Sequence, residues 1–239
     1  MLSSLLERSE IAIISEMKPK ARHIFQTACI ILSLGLFLLL ETELTIQNGD
    51  GLIWIQWTIK FFLGLISVIL SLPALIKRRT GYQALLTITL IIFLFADTSI
   101  NLNFLAGGIL FSIGHLLLIL FLGKKGGWEK KKIPVFLITY SIFLILNLCF
   151  LKRNGSLLTI GFCLYSLIIS LLMAFSITFE RTIRIGILLF VISDFLLMLN
   201  IGLGYSLWMG HIARFVYYLS ILVLASTSMD SDKKDENRK

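Results

Sequence analysis

Two carboxylates stand where carboxylates are costly. Of the 14 acidic residues in this 239-residue chain, only Asp97 and Asp194 lie inside long apolar runs. A charged side chain at the centre of a bilayer costs about 2.5–3.5 kcal/mol on insertion scales, so an acid at that depth usually marks a reaction or transport site. Lys60 and Arg214 are the basic residues within such runs, and His115 and His211 are the histidines there. Counted at a rise of about 1.5 Å per residue, each Asp lies about 9 Å before the Asn that follows it six residues on, at the end of its helix, and Lys60 lies about 12 Å deep. His115, His211, Arg214 and Tyr165 lie at about 10–16 Å. The ionisable groups therefore share one layer. Two carboxyls in a low-dielectric site can separate their pKa values, so that one stays neutral and serves as acid while the other is ionised and serves as base. A structural role competes with this: each Asp pairs with Lys60 or Arg214 and ties helices together, although buried ion pairs often contribute little net stability. For His115 a packing hydrogen bond between helices stands beside a catalytic role. Tyr217 and Tyr218 can equally be packing residues or interface anchors.

The elements that must position these groups follow from composition. The chain is 57% hydrophobic and 15% charged, whereas soluble domains run at roughly 45–50% and about 25%. Apolar runs near 24–40, 52–75, 83–100, 104–122, 134–151, 157–178, 184–200 and 205–225 have the roughly 17–25 residues of a crossing helix. Turn or charge signals separate them: Asn48-Gly49-Asp50-Gly51, Lys77-Arg78-Arg79, Asn101-Leu102-Asn103, Gly126-Gly127 and Asn154-Gly155. The short alternation of a membrane β-barrel is missing. The expected fold is all-α, a polytopic bundle of about eight transmembrane helices over 24–228. A cytoplasmic segment over 1–23 precedes it, with residues 2–17 suited to an interfacial helix, and a disordered cytoplasmic tail over 229–239 follows.

The net charge of +8 does not indicate a nucleic-acid partner, because the basic residues cluster in short loops between apolar runs. With the N-terminus inside, 18 of the 22 Lys and Arg fall in cytoplasmic regions, Lys152 and Arg153 fall outside, and Lys60 and Arg214 lie in spans. That bias places both termini in the cytoplasm and the polar layer in the outer half of the membrane. The first apolar run follows a mixed-charge stretch and has no small-residue cleavage site, so no cleaved signal peptide is expected. Cys29, Cys149 and Cys163 lie in apolar runs without CxxC spacing, and are read as small apolar residues rather than disulfide or zinc ligands.

Two stretches resemble each other. Asp97, Leu102-Asn103 and Gly114-His115 correspond to Asp194, Leu199-Asn200 and Gly210-His211, with Asn six residues after Asp in both. The spans near 83–100 and 104–122 then match those near 184–200 and 205–225, the pattern of a parallel repeat of four plus four helices. Chance in an apolar, low-complexity sequence is the competing explanation.

These motifs also carry a family resemblance. The stretch Ile92–Leu122, with Ala96-Asp97, Phe104, Gly107 and Gly114-His115, resembles the central motif of the YhhN-like membrane proteins, the lysoplasmalogenase family. Ser193-Asp194, Leu197 and Asn200 resemble its second acidic motif. Tyr217-Tyr218 is similar to its late Tyr-Tyr, Tyr165 with Met173-Ala174 to its sixth-helix pattern, and Lys60-Phe61 to its early Lys-Pro. Ala96, Phe61, Leu118 and Ile221 stand where the family pattern has Gly, Pro, Tyr and Gln.

The resemblance implies a membrane hydrolase that cleaves the vinyl-ether bond of a lysoplasmalogen, releasing a fatty aldehyde and a glycerophospho-base. It makes Asp97, Asp194 and His115 the catalytic candidates, and Lys60, Tyr165, Arg214, Tyr217 and Tyr218 the substrate-binding ones. No metal or other cofactor is implied. The partners expected are a vinyl-ether lysophospholipid and the membrane itself, in a bacterial inner (plasma) membrane, and a homodimer is left open. Two other classes stay in view. A metal-dependent, ceramidase-like lipid hydrolase would use His115, His211 and the two Asp as ligands. A small proton-coupled transporter would use the acids as a relay.

Overall fold

Leu, Ile and Phe dominate these runs, and a backbone surrounded by lipid must satisfy its own hydrogen bonds, which favours helices. The computed structural model describes residue 35 and residues 53–78, 81–100, 102–125, 129–204 and 206–230. They form six long helices: α1 (Ile53–Arg78), α2 (Gly81–Ile100), α3 (Phe104–Lys125), α4 (Lys132–Ser176), α5 (Arg181–Leu203) and α6 (Leu207–Asp230). Six stretches are long and apolar enough to cross a bilayer: Gln83–Ile100, Phe104–Lys124, Lys132–Cys149, Thr159–Ser176, Arg181–Leu203 and Trp208–Thr227. They coincide with the last six expected spans. In α1, matching the expected span 52–75, the apolar part is the shorter Lys60–Leu72. The expected span near 24–40, save for Gly35, the interfacial segment over 2–17 and the tail beyond Asp230 lie outside the described residues.

The expected break at Asn154-Gly155 takes an unexpected form. Backbone helical turns persist through α4 for 45 residues. Nineteen residues of straight helix would separate Asn147 from Ser166 by about 28 Å. Instead Asn147 Nδ2 donates to Ser166 Oγ at 2.9 Å. The chain therefore reverses between them, and α4 is two limbs lying side by side.

Short polar devices shape the entry to α3 and the turn from α5 into α6. Asn103 Oδ1 accepts from the Ala106 backbone N–H at 3.1 Å, an N-cap on α3. The Leu203 end of α5 is closed by Gly204 in the left-handed region (φ 102°), whose N–H bonds Asn200 O. Asn200 Oδ1 then accepts from Ser206 N at 2.6 Å, which fixes the turn into α6.

Each helix packs on its sequence neighbours, and α6 returns to pack on α1 and, more lightly, on α2. The helices thus close into a ring. Where lipid supplies no hydrophobic drive between helices, association depends on close approach and on interhelical hydrogen bonds. Gly64 gives the α1–α2 contact, since a Cβ there would lie 2.6 Å from Leu94 Cδ1. Between α5 and α6, Ser193 Oγ donates to Ala213 O at 2.9 Å and Ser220 Oγ to Gly186 O at 2.8 Å. Phe93, Leu118, Phe121, Ile169, Leu172, Phe190 and Leu222 fill the interior. The outward faces carry exposed Ile138, Leu164, Leu105 and Trp208, as a lipid-facing surface requires.

Candidate functional site

Both expected carboxylates face inward: Asp97 on α2 is 8% exposed and Asp194 on α5 is 7% exposed. Each accepts a hydrogen bond from a tyrosine on another helix. Tyr165, on the second limb of α4, donates to Asp194 Oδ2 at 3.1 Å. Tyr218, on α6, donates to Asp97 Oδ2 in a short contact. Tyr217, beside it, has its ring 5.0 Å from that of Tyr218 and packs on Phe190, which in turn packs on His115, so aromatic contacts join the surroundings of the two acids.

His115 on α3 is fully buried. Its Nδ1 is 2.6 Å from the Phe111 carbonyl, one turn earlier, and its Nε2 lies 3.9 Å from Asp194 Oδ2. Aromatic rings enclose the imidazole: Phe190 at 4.6 Å between centroids, Phe93 at 5.1 Å and Tyr165 at 5.5 Å. Phe190 also meets Tyr217 edge-on at 5.3 Å. The wall of the site is thus aromatic, with polar atoms from five helices projecting through it.

Gly114 sets the height of His115. A Cβ at Gly114 would lie 2.7 Å from Phe93 Cδ1, so only glycine lets α3 approach α2 closely enough to bring His115 under the Phe93 ring.

The basic residues sit at the margins of this centre. Lys60 on α1 is buried. Because α1 and α2 run antiparallel, the Gly64–Leu94 contact fixes their register, and Lys60 and Asp97, each about a turn beyond that contact, lie at the same level. On α6, Arg214 follows Ala213, which holds the Ser193 hydroxyl, so Arg214 shares a level with Asp194. Arg214 Nη2 donates to His211 Nδ1 at 3.0 Å. His211 is thereby engaged by a cation instead of standing beside His115. Among the described residues no group of three His, Cys, Asp or Glu side chains comes together to hold a metal, so the ligand set of His115, His211 and both Asp is not assembled.

Three contributors escaped the sequence reading: the Phe111 carbonyl, Phe93 and Phe190. Their signal was spacing. Phe111 precedes His115 by one helical turn, and Phe93 and Phe190 stand four residues before Asp97 and Asp194.

Six bilayer-length apolar stretches around a buried polar centre define a multi-pass α-helical membrane protein. The family model for the YhhN family matches residues 55–228, and the chain belongs to that family. Comparisons with curated proteins and with solved structures gave no significant match.

Proposed function

We propose that this protein is a lysoplasmalogenase-like hydrolase that cleaves the vinyl-ether bond of a lysophospholipid by acid–base catalysis between Asp97 and Asp194. The observation that carries the reading is the pair of buried, tyrosine-bonded carboxyls joined through one aromatic cluster, with a histidine beside one of them. Family membership supports a membrane protein of this type.

The chemistry needs two carboxyls in different protonation states. The acid protonates the alkene carbon of the vinyl ether, and the ether oxygen lone pair generates an oxocarbenium ion. Water attacks the carbon bonded to the ether oxygen and gives a proton to the carboxylate. The hemiacetal formed loses its hydroxyl proton to the first carboxyl, while the second protonates the departing glyceryl oxygen. Both carboxyls return to their starting states, and the products are a fatty aldehyde and a glycerophospho-base. Positioned proton transfer of this kind is worth typically about 10²–10⁴-fold per group. Lys60 and Arg214, at the levels of the two acids, suit the lipid phosphate, and Tyr165, Tyr217 and Tyr218 line the approach. The substrate enters sideways from the bilayer, so burial of the site is no obstacle.

The finer architecture belongs to the same proposal. Eight helices cross the membrane with both termini cytoplasmic, and the α2–α3 and α5–α6 hairpins are copies within a four-plus-four repeat. Supporting this, Asn103 and Asn200 both bond the backbone at the entry to the next helix.

The test is incubation of the purified protein with lysoplasmalogen and with an acyl lysophospholipid, with assays for aldehyde and for fatty acid. Aldehyde from the first substrate alone supports the proposal. Fatty acid release abolished by a chelator would favour a metal-dependent hydrolase, and flux across vesicles without product a transporter.

A further inference from the structure

Asp194 faces a histidine whose proton is already committed elsewhere. His115 Nδ1 is 2.6 Å from the Phe111 carbonyl, and a carbonyl only accepts, so Nδ1 carries the hydrogen. In the neutral ring Nε2 is then a bare lone pair. That nitrogen is buried and has no hydrogen-bond partner in the described residues. It faces Asp194 Oδ2 at 3.9 Å, the same oxygen that accepts from Tyr165.

With Asp194 ionised and His115 neutral, a lone pair would face an anion with no proton between them, and the pair would carry a net negative charge among Phe93, Phe111 and Phe190. Burying such a charge is strongly unfavourable. One added proton makes the pair neutral overall. An imidazolium–carboxylate pair would require two desolvated ions, so the proton rests on the carboxyl.

We infer that Asp194 is the protonated acid of this site, held in that form by His115 Nε2 as its acceptor, which leaves the role of ionised base in the proposed chemistry to Asp97. The location of the proton stands on the Phe111–His115–Asp194 geometry, and its chemical use rests on the proposed vinyl-ether hydrolysis. A shift of about 1 Å brings Nε2 and Oδ2 within hydrogen-bonding distance. In the reaction the Asp194 O–H bond breaks as the new C–H bond forms at the alkene carbon. Asp97 takes the proton of the attacking water and later delivers it to the glyceryl oxygen. Asp194 recovers its proton from the hemiacetal hydroxyl. His115 touches no substrate in this scheme and is a positioning residue.

Infrared spectroscopy of the full-length protein in detergent, in H₂O and in D₂O, reads the proton directly. The wild type is expected to show the C=O stretch of a buried carboxylic acid. Asp194→Asn removes that band, Asp97→Asn keeps it, and His115→Asn, which can retain the bond to Phe111 but loses the acceptor, shifts it. A band that survives Asp194→Asn, or one that vanishes in Asp97→Asn, overturns the assignment. If Asp194→Asn yields no folded protein, an unshifted band in His115→Asn overturns it as well. Aldehyde assays on the same samples separate the two proposals. The expected spectra without aldehyde release would sink the hydrolase reading and leave the proton where it is assigned. With hydrolysis present, His115→Asn should lower kcat about 10²-fold with KM little changed.

Discussion

Phe93 and Phe190 pack against each other inside the ring of helices, their centroids 5.0 Å apart and their planes inclined by 41°, and each stands four residues before a buried aspartate. One helical turn therefore couples the aromatic contact to both carboxyls. Both rings also touch His115.

Truncating this contact should loosen the whole centre. Phe93→Ala and Phe190→Ala are each expected to cost about 3–5 kcal/mol. The double variant should fall short of the sum, because contacting residues couple by about 0.5–3 kcal/mol. Thermal unfolding of the four proteins in one detergent checks this, and strict additivity would contradict a shared contact.

The two aspartates should be needed for turnover without being needed for folding. Asp97→Asn and Asp194→Asn are each expected to reduce aldehyde release by about 10²–10⁴-fold, with detergent-stable yield maintained, since the first removes a buried charge and the second exchanges one neutral polar group for another. The double variant should be little worse than either single one, because groups acting as a unit are not additive. If the acids were structural partners of Lys60 or Arg214, the Asn variants would misassemble and neutralising the base would rescue yield.

The tyrosines should tune the carboxyls. A hydrogen bond to a charged group is worth about 1.5–3 kcal/mol, so Tyr218→Phe, which strips the bond to Asp97, should lower kcat by roughly 10–150-fold at similar KM. Tyr165→Phe acts on Asp194, which is neutral in the proposed scheme, and should have the smaller effect, about 10-fold or less. Equal losses in both would argue against an unequal protonation of the two acids.

Gly114→Ala should destabilise by about 1–3 kcal/mol through overpacking, because the new methyl falls on the Phe93 ring. Gly108→Ala, where a Cβ meets nothing within 4 Å, should be close to neutral. Melting temperatures of the two variants decide it.

Reporter fusions at Asn48, Lys130 and the C-terminus test the topology. Eight spans with both termini inside place Lys130 and the C-terminus in the cytoplasm and Asn48 outside; an external signal at Lys130 rules the arrangement out.

Much of this protein was legible before folding because lipid simplifies the code. A backbone that must satisfy itself forces helices, so the apolar runs locate α2, α3, both limbs of α4, α5 and α6 to within about three residues of their apolar stretches. The expense of charge at depth singled out Asp97, Asp194, Lys60 and Arg214 for the same reason. Hydropathy is blind to rotation about a helix axis and to which helices meet, so lateral convergence needed the tertiary structure. Only packing decided that Tyr165 serves Asp194 while Tyr218 serves Asp97, that His211 turns to Arg214 while His115 turns to Asp194, and that α4 folds back at a segment whose backbone stays helical. Those choices follow from the close approach that residues such as Gly64, Gly114 and Gly186 permit, a property of facing surfaces that no single run of sequence contains.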